Sequence, residues 1–215
     1  MNTELVRKTE EFLKRKFFES EFLKEHPEDR DYRLEHSYRV ANIGKIIAEK
    51  EGFDVTEMVI GCLLHDVAYC EIFGENGWKD HGRRGASIAR PFLTELGLPT
   101  ERIDDICYGI AIHVDDVADF EGVKTPFAIS IGDADNIDRF DAYRIFETLV
   151  YEGFKEKSLA EKAEFVEKRL SKLKEAANFP LGTKTAEALW KERIAYYCDF
   201  YEKMQKQFAN SSSII

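Results

Sequence analysis

Little in this chain interrupts a helix. Its 215 residues include only 5 prolines and 13 glycines, and no stretch alternates apolar with polar residues as a half-buried strand does. The expected class is therefore all-α. Cysteine is also sparse: Cys62, Cys70, Cys107 and Cys198 show no C-x-x-C spacing, so they read as reduced core residues rather than a disulfide framework, as expected of a cytoplasmic protein. No segment approaches the ~18 consecutive apolar residues of a membrane span. The start, "MNTELVRKTEEFLKRKFF", carries acids from Glu4 onward and has no uninterrupted apolar run, so neither a signal segment nor a membrane partner is expected. Positive charge is in deficit as well. Against 41 Asp and Glu stand 31 Lys and Arg, a net charge of −10, and the mean field repels nucleic-acid polymers and anionic lipid surfaces. Internal repeats and low-complexity linkers are absent.

What is present is helical periodicity nearly throughout. The pattern predicts a helix over about 3–24, a break at Pro27 in "HPEDRDY", and a second helix over about 32–51, where Val40, Ile43 and Ile47 mark one face and Gly52 supplies the stop. His36 lies on that same face. "DVTE", with capping-box spacing, opens a third helix carrying "GCLLHDVAYCEIF". "FGENGWKDHG" reads as a loop. Further helices are expected over about 83–96, over about 101–114, from Pro126 with Thr125 as its cap, and over about 142–154, 158–177 and 184–208, with a frayed "NSSSII". The 215 residues read as a single domain, with a core over about 32–146 and a helical extension over about 150–210. Most aromatics of the extension read as fillers of helix interfaces. Its charged amphipathic helix "EKAEFVEKRLSKLKEA" reads as a solvated face over a core or a homodimer seam.

The anomaly is polar. His65 and Asp66 interrupt Leu63, Leu64, Val67 and Ala68, where neighbours predict burial, and a buried aspartate needs a partner or a metal. On a helix the two side chains diverge by ~100°, close enough to reach one ion from a shared flank. His36, His81 and His113 lie on or beside apolar helix faces too, whereas His26 belongs to a polar turn. Asp133, Asp135 and Asp138 stand among Ile129, Ile131, Ala134 and Ile137, so at least one faces inward. Helical spacing does not choose between Asp133 and Asp135. Imidazole nitrogen with carboxylate oxygen suits Mn, Fe, Co, Ni or Zn, and facing helices of a bundle can assemble such a set.

"EHSYRVANIG", "LLHDVA" and "IGDADNID" taken in order resemble the H…HD…D pattern of the HD-domain metal-dependent phosphohydrolases. The resemblance spans about 32–146 and implies an HD-domain helical bundle with additional C-terminal helices. It also implies that His36, His65, Asp66 and Asp135 ligate one divalent metal (Mn, Fe, Co, Ni, Mg or Zn), with Asp133 as the alternative last ligand. "DHGRRGASIARPFL" and "ICYGIAIHVDD" resemble the histidine-bearing segments of members that hold a second ion or contact substrate phosphate, which places His81 and His113 in that role. Small bacterial and archaeal hydrolases with a "DAD-x-hydrophobic-D" element, some acting on nucleotides, are the most similar branch. The chain departs from it after Asp138, reading "RFDAYRIF" where glycines are usual.

The implied reaction is hydrolysis of a phosphomonoester, phosphodiester or pyrophosphate bond in a small substrate, a nucleotide first, by a water whose pKa the ion lowers toward ~7. Asp66 would orient that water and Glu71 would serve as a nearby acid, while Lys79, Arg83 and Arg84 would neutralise phosphate oxygens. Two other readings use the same residues. Six ligands in the order His36, His65, Asp66, His81, His113 and Asp135 also resemble the HD-type di-iron oxygenases, and a non-catalytic nucleotide sensor would bind without turnover.

Overall fold

In a computed structural model describing residues 1–71 and 77–211, the described residues are mainly helical and include no strand. Of the loop expected over 73–82, residues 73–76 lie outside them, while 77–80 form a 3-10 turn and His81 and Gly82 begin a helix; of the frayed end expected over 210–215, residues 212–215 lie outside them. Helix α1 (Thr3–Glu19) starts where the Asn2 side chain accepts the N–H groups of Glu4 and Leu5, and it buries Phe12, Leu13 and Phe17. Ser20, expected inside this helix, is extended and caps Leu23 of the short α2 (Glu21–Glu25), in keeping with serine's preference for capping. The break expected at Pro27 falls at His26, and Pro27 begins the long α3 (Pro27–Glu51), expected from about 32, at its first turn, where a missing N–H costs nothing. Gly52 stops α3 in the left-handed region at φ 77°, as its sequence position predicts.

Asp54 accepts the Glu57 N–H at 3.0 Å and opens α4 (Val55–Leu64). Thr56 and every α4 residue from Met58 to Leu64 are buried. The reason is packing on several sides, by α1, α3, α6 (Thr100–Ile112) and α7 (Pro126–Asp138). Between these, α5 (His81–Glu95) follows a 3-10 turn at Gly77–Asp80 and pairs with α6. Helix α7 begins where the Thr125 hydroxyl accepts the Ala128 N–H at 3.0 Å. Close helix approach depends on small residues: a Cβ on Gly109 of α6 would stand 2.7 Å from the Ala128 carbonyl and 3.0 Å from its Cα.

The chain divides into two compact units, residues 1–138 with 181–186, and 139–180 with 187–215. The division falls at the end of α7, ahead of the sequence-based expectation near 150, and α1 and α2 belong to the first unit. The second unit contains α8 (Ala142–Tyr151), a 3-10 turn at Phe154–Glu156, α9 (Leu159–Ala176), opened by a Ser158–Glu161 capping box, and α10 (Lys184–Ala209) from Glu187 on. Its core joins Val166, Leu170, Leu173, Trp190, Ile194, Tyr197 and Tyr201, with the Trp190 indole donating to the Ala176 carbonyl at 2.8 Å. All four cysteines are free thiols, Cys62 and Cys107 buried. No described helix is long and apolar enough to cross a membrane.

Because backbone rather than a flexible side chain opposes a Cβ at Gly109, Gly109→Ala is expected to destabilise the first unit by about 1–3 kcal/mol. A lowered melting temperature measures this, and an unchanged one contradicts the close approach of α6 to α7.

Candidate metal centre

Two helices and the ends of three others converge on one buried cluster. His36 projects from α3 and Asp135 from α7, both from within the helix body. His65 and Asp66, expected in mid-helix, instead follow the last residue of α4: His65 is its C-cap, and Asp66 has φ −100° and ψ 12° ahead of the 3-10 turn Val67–Cys70. His113 is likewise the C-cap of α6, and His81 is the first residue of α5. The helix ends explain how adjacent polar residues escape the apolar α4 packing. A C-cap lies at the edge of the core, and its side chain turns toward a shared centre.

Each imidazole is oriented from behind. Nδ1 of His65 donates to the Cys62 carbonyl at 2.7 Å and Nδ1 of His113 to the Ile110 carbonyl at 2.7 Å, while Nδ1 of His81 donates to the Trp78 carbonyl. These are the same local contact, to the carbonyl three residues earlier. His36 Nδ1 faces Asp138 Oδ2 at 2.8 Å instead, and Arg39 holds the other Asp138 oxygen at 3.0 Å. A carbonyl only accepts, so a neutral ring tied this way carries its proton on Nδ1 and turns the Nε2 lone pair inward. Four Nε2 atoms therefore face one another.

Their spacing divides the cluster in two. His36 Nε2 lies 3.2 Å from His65 Nε2 and 3.1 Å from Asp135 Oδ1, and Asp66 Oδ2 is 3.6 Å from both imidazole nitrogens. On the other side His81 Nε2 and His113 Nε2 are 3.0 Å apart, with Asp66 Oδ1 at 3.2 and 3.6 Å. Asp66 thus turns one oxygen to each histidine pair. Three donor groups, His36–His65–Asp66, His65–His113–Asp135 and Asp66–His81–His113, bring their atoms within 4.8 Å of one another, all buried. Two ligands on an ion at ~2.1 Å stand ~3.0 to 3.4 Å apart at octahedral to tetrahedral angles. The donor set therefore fits a divalent cation in chemistry and in spacing.

The electrostatics point the same way. Burial opposes charge on His36, yet Asp135, Asp138 and Asp66 overcome it and raise the imidazole to about 9. Burial dominates at His65 and lowers it to about 4. Burial likewise opposes protonation of His113, but Asp66 raises it above its ordinary value. Asp66 is held well below the carboxylate range: burial works against its charge, and His65, His113, His81 and Arg33 prevail. The field of the carboxylates thus places protons on imidazoles where the same geometry accommodates a cation.

Asp133 does not join the cluster. Its Oδ2 accepts the Gly182 N–H at 2.8 Å, and burial raises its carboxyl to about 6. Glu71 and Arg84 pair with each other, the Arg84 Nε donating at 2.6 Å. Arg83 is occupied by Asp80 and by Asp115 at 2.9 Å. Lys79 is exposed, its ammonium 5.7 Å from the Trp78 ring. None of these four makes a described contact with the histidines. The sequence reading missed Asp138 as the partner of His36, although it stands one helical turn after Asp135. It also missed Arg33, which donates to Asp66 Oδ2 at 2.9 Å and lies 3.5 Å over the Tyr69 ring. The signal was available: Arg33 is three residues before His36 and shares its helix face. A groove of about 840 Å³ lies elsewhere, walled by α5, α6 and residues 119–125, and none of the cluster residues line it. The donor chemistry, rather than this groove, marks the site.

A helical bundle with a buried histidine and aspartate centre, each imidazole oriented by an acceptor behind it, defines a metal-dependent class of protein. The HD domain family matches residues 33–142, and the chain belongs to that family, a class of metal-dependent phosphohydrolases. Two solved structures share the fold. A predicted HD superfamily hydrolase from an uncultured Thermotogales bacterium is 18% identical, with a TM-score of 0.63 over 96% of this chain and 92% of its own. Bacillus subtilis YpgQ, solved in complex with ADP, is 19% identical, with a TM-score of 0.61 over 95% of each chain. No curated protein matches the chain.

Metal binding should release protons. Since His36 is raised to about 9 without an ion, and an ion needs its Nε2 lone pair, affinity is expected to rise with pH through 6 to 9. Isothermal titration in buffers of different ionisation enthalpy measures the released proton; affinity independent of pH over this interval contradicts the placement of His36 at the ion.

Proposed function

We propose that this protein hydrolyses a phosphomonoester, phosphodiester or pyrophosphate bond of a small phosphorylated molecule, a nucleotide first among them. The observation that carries the reading is Asp66, with one oxygen toward His36 and His65 and the other toward His81 and His113. In this reading His36, His65, Asp66 and Asp135 hold one divalent ion, and Asp66, His81 and His113 hold a second. Such ions supply Lewis acidity toward phosphoryl oxygens and an acidified water.

The chain's own residues do the positioning. Three backbone carbonyls and Asp138 prevent the imidazoles from turning, which keeps the donor atoms convergent. Arg33 donates directly to Asp66, and its planar fork can leave Asp66 for a phosphate oxygen while the Tyr69 ring supports its face. Lys79, exposed near His81 in sequence, is the second phosphate-facing cation. Glu71, Arg83 and Arg84 have their hydrogen-bonding groups engaged with carboxylate or guanidinium partners and receive no step. The ADP in the YpgQ structure supports a nucleotide substrate. Asp66, whose two oxygens face the two histidine pairs, also aligns the water in this account.

A metal analysis combined with a screen of nucleotides, cyclic dinucleotides, pyrophosphates and sugar phosphates over Mn, Co, Ni, Mg, Zn and Fe tests the reading. Metal-stimulated phosphate or pyrophosphate release supports it. Two irons with a di-iron Mössbauer signal and no such release favour the oxygenase, and tight nucleotide binding without turnover favours the sensor.

His65→Ala and Asp66→Ala are each expected to abolish metal binding and phosphate release while leaving most helicity by circular dichroism; full activity in either variant overturns the assignment. His113→Ala should reduce the metal content of a two-ion protein by about half. Arg33→Ala is expected to raise KM about 10-fold or more, since charge-assisted bonds contribute roughly 1.5–3 kcal/mol, with Arg33→Lys intermediate. An unchanged KM removes Arg33 from the phosphate.

A further inference from the structure

We infer that residues 181–186 form a clip that sets the position of the α7 ligand face, with Asp133 as a positioning residue for the metal centre. The inference rests on the metal reading of the cluster. The three aspartates of α7 have separate tasks: Asp135 faces His36, Asp138 holds His36 from behind, and Asp133 reaches Gly182. The first two tie α7 to α3, and the last ties it to the segment ahead of α10.

The clip is built from backbone N–H groups at the start of α10. Gly182 N–H goes to Asp133 Oδ2 at 2.8 Å, Thr185 N–H to Glu51 Oε1 at 2.8 Å, and Ala186 N–H to the Thr183 hydroxyl at 3.1 Å. Glu51 is the last residue of α3, and Asp133 belongs to α7. The same short segment therefore binds the two helices that carry His36 and Asp135. It fits closely: Thr183 and Ala186 are buried, and a Cβ on Gly182 would stand 2.7 Å from Ile129 Cγ2.

From the other side α7 is fixed by Gly132, whose Cβ would lie 3.2 Å from His113 Cα. Consecutive residues thus report to the clip (Asp133) and to the backbone of a candidate ligand (Gly132), and Asp135 follows two positions later. If the clip loosens, α7 has freedom to rotate or slide, and the movement reaches Asp135 and the Asp138–His36 contact together. A hydrogen-bond acceptor at this position, rather than an apolar residue, is what the Gly182 N–H, otherwise without a partner, requires.

Cobalt(II) titration of the metal-free protein, followed by visible absorption, tests the clip in Asp133→Ala, Asp133→Asn and Gly182→Ala. Asp133→Ala is expected to weaken cobalt binding by ~10-fold or more and to shift the d–d bands, while Asp133→Asn, which keeps an acceptor for Gly182, restores both. Gly182→Ala pushes the segment from Ile129 with the carboxylate intact and should shift the bands likewise. Unchanged affinity and bands in Asp133→Ala and Gly182→Ala, whatever their melting temperatures, overturn the clip; so does failure of asparagine to restore them. Wild-type protein that binds no cobalt instead overturns the metal reading itself and the inference with it.

Discussion

Two carboxylates, Asp66 and Asp135, lie buried among four imidazoles at the centre of an apolar bundle. Removing charged carboxylates from water is costly unless opposite charge and hydrogen bonds replace the lost hydration. Arg33 and protonated imidazoles partly supply that charge here. A divalent cation would supply it more completely, and the donors already stand at the separations that one imposes. This requirement explains why so much of the surrounding structure consists of acceptors behind imidazoles: a ring that rotated would exchange a lone pair for an N–H and repel the ion.

The fold meets the requirement by using helix ends. Helix α4 is apolar and buried from Met58 to Leu64, and His65 and Asp66 appear where it stops. His113 occupies the corresponding position after α6, and His81 begins α5. At these positions each histidine finds a carbonyl three residues earlier, without needing a dedicated partner from another element. His36, inside α3, has its neighbouring carbonyls engaged in the helix and needs Asp138 instead. Helices α3 and α7 therefore need an exact mutual position, and close contacts at Gly109, Gly132 and Gly182 seat α7 against α6 and the 181–186 segment.

Much of this was legible in the residues. Helical periodicity identified the class, and Gly52, Asp54 and Thr125 marked termini because their capping chemistry is local. The polar anomalies in apolar helices led to His36, His65, Asp66, His81 and His113, which the structure brings together. Other features were hidden because they depend on distant partners. Spacing left Asp133 and Asp135 equivalent; Gly182, about fifty positions away, distinguishes their surroundings. Arg83 and Arg84 read as phosphate ligands from their charge, but Asp80, Asp115 and Glu71 engage them. Ser20 and Pro27 were read against their capping roles, because tertiary packing decides whether such residues break a chain or start a helix.

The central claim is that Asp66 bridges two cation positions. Anomalous diffraction at the manganese or cobalt edge, from crystals equilibrated with that ion, tests it most directly. The account predicts two peaks about 3.5–4 Å apart, one on each side of the Asp66 carboxylate, with Asp135 beside the peak shared by His36 and His65. The absence of any anomalous peak among these residues, or a bound ion that leaves Asp66 uncoordinated, would contradict it.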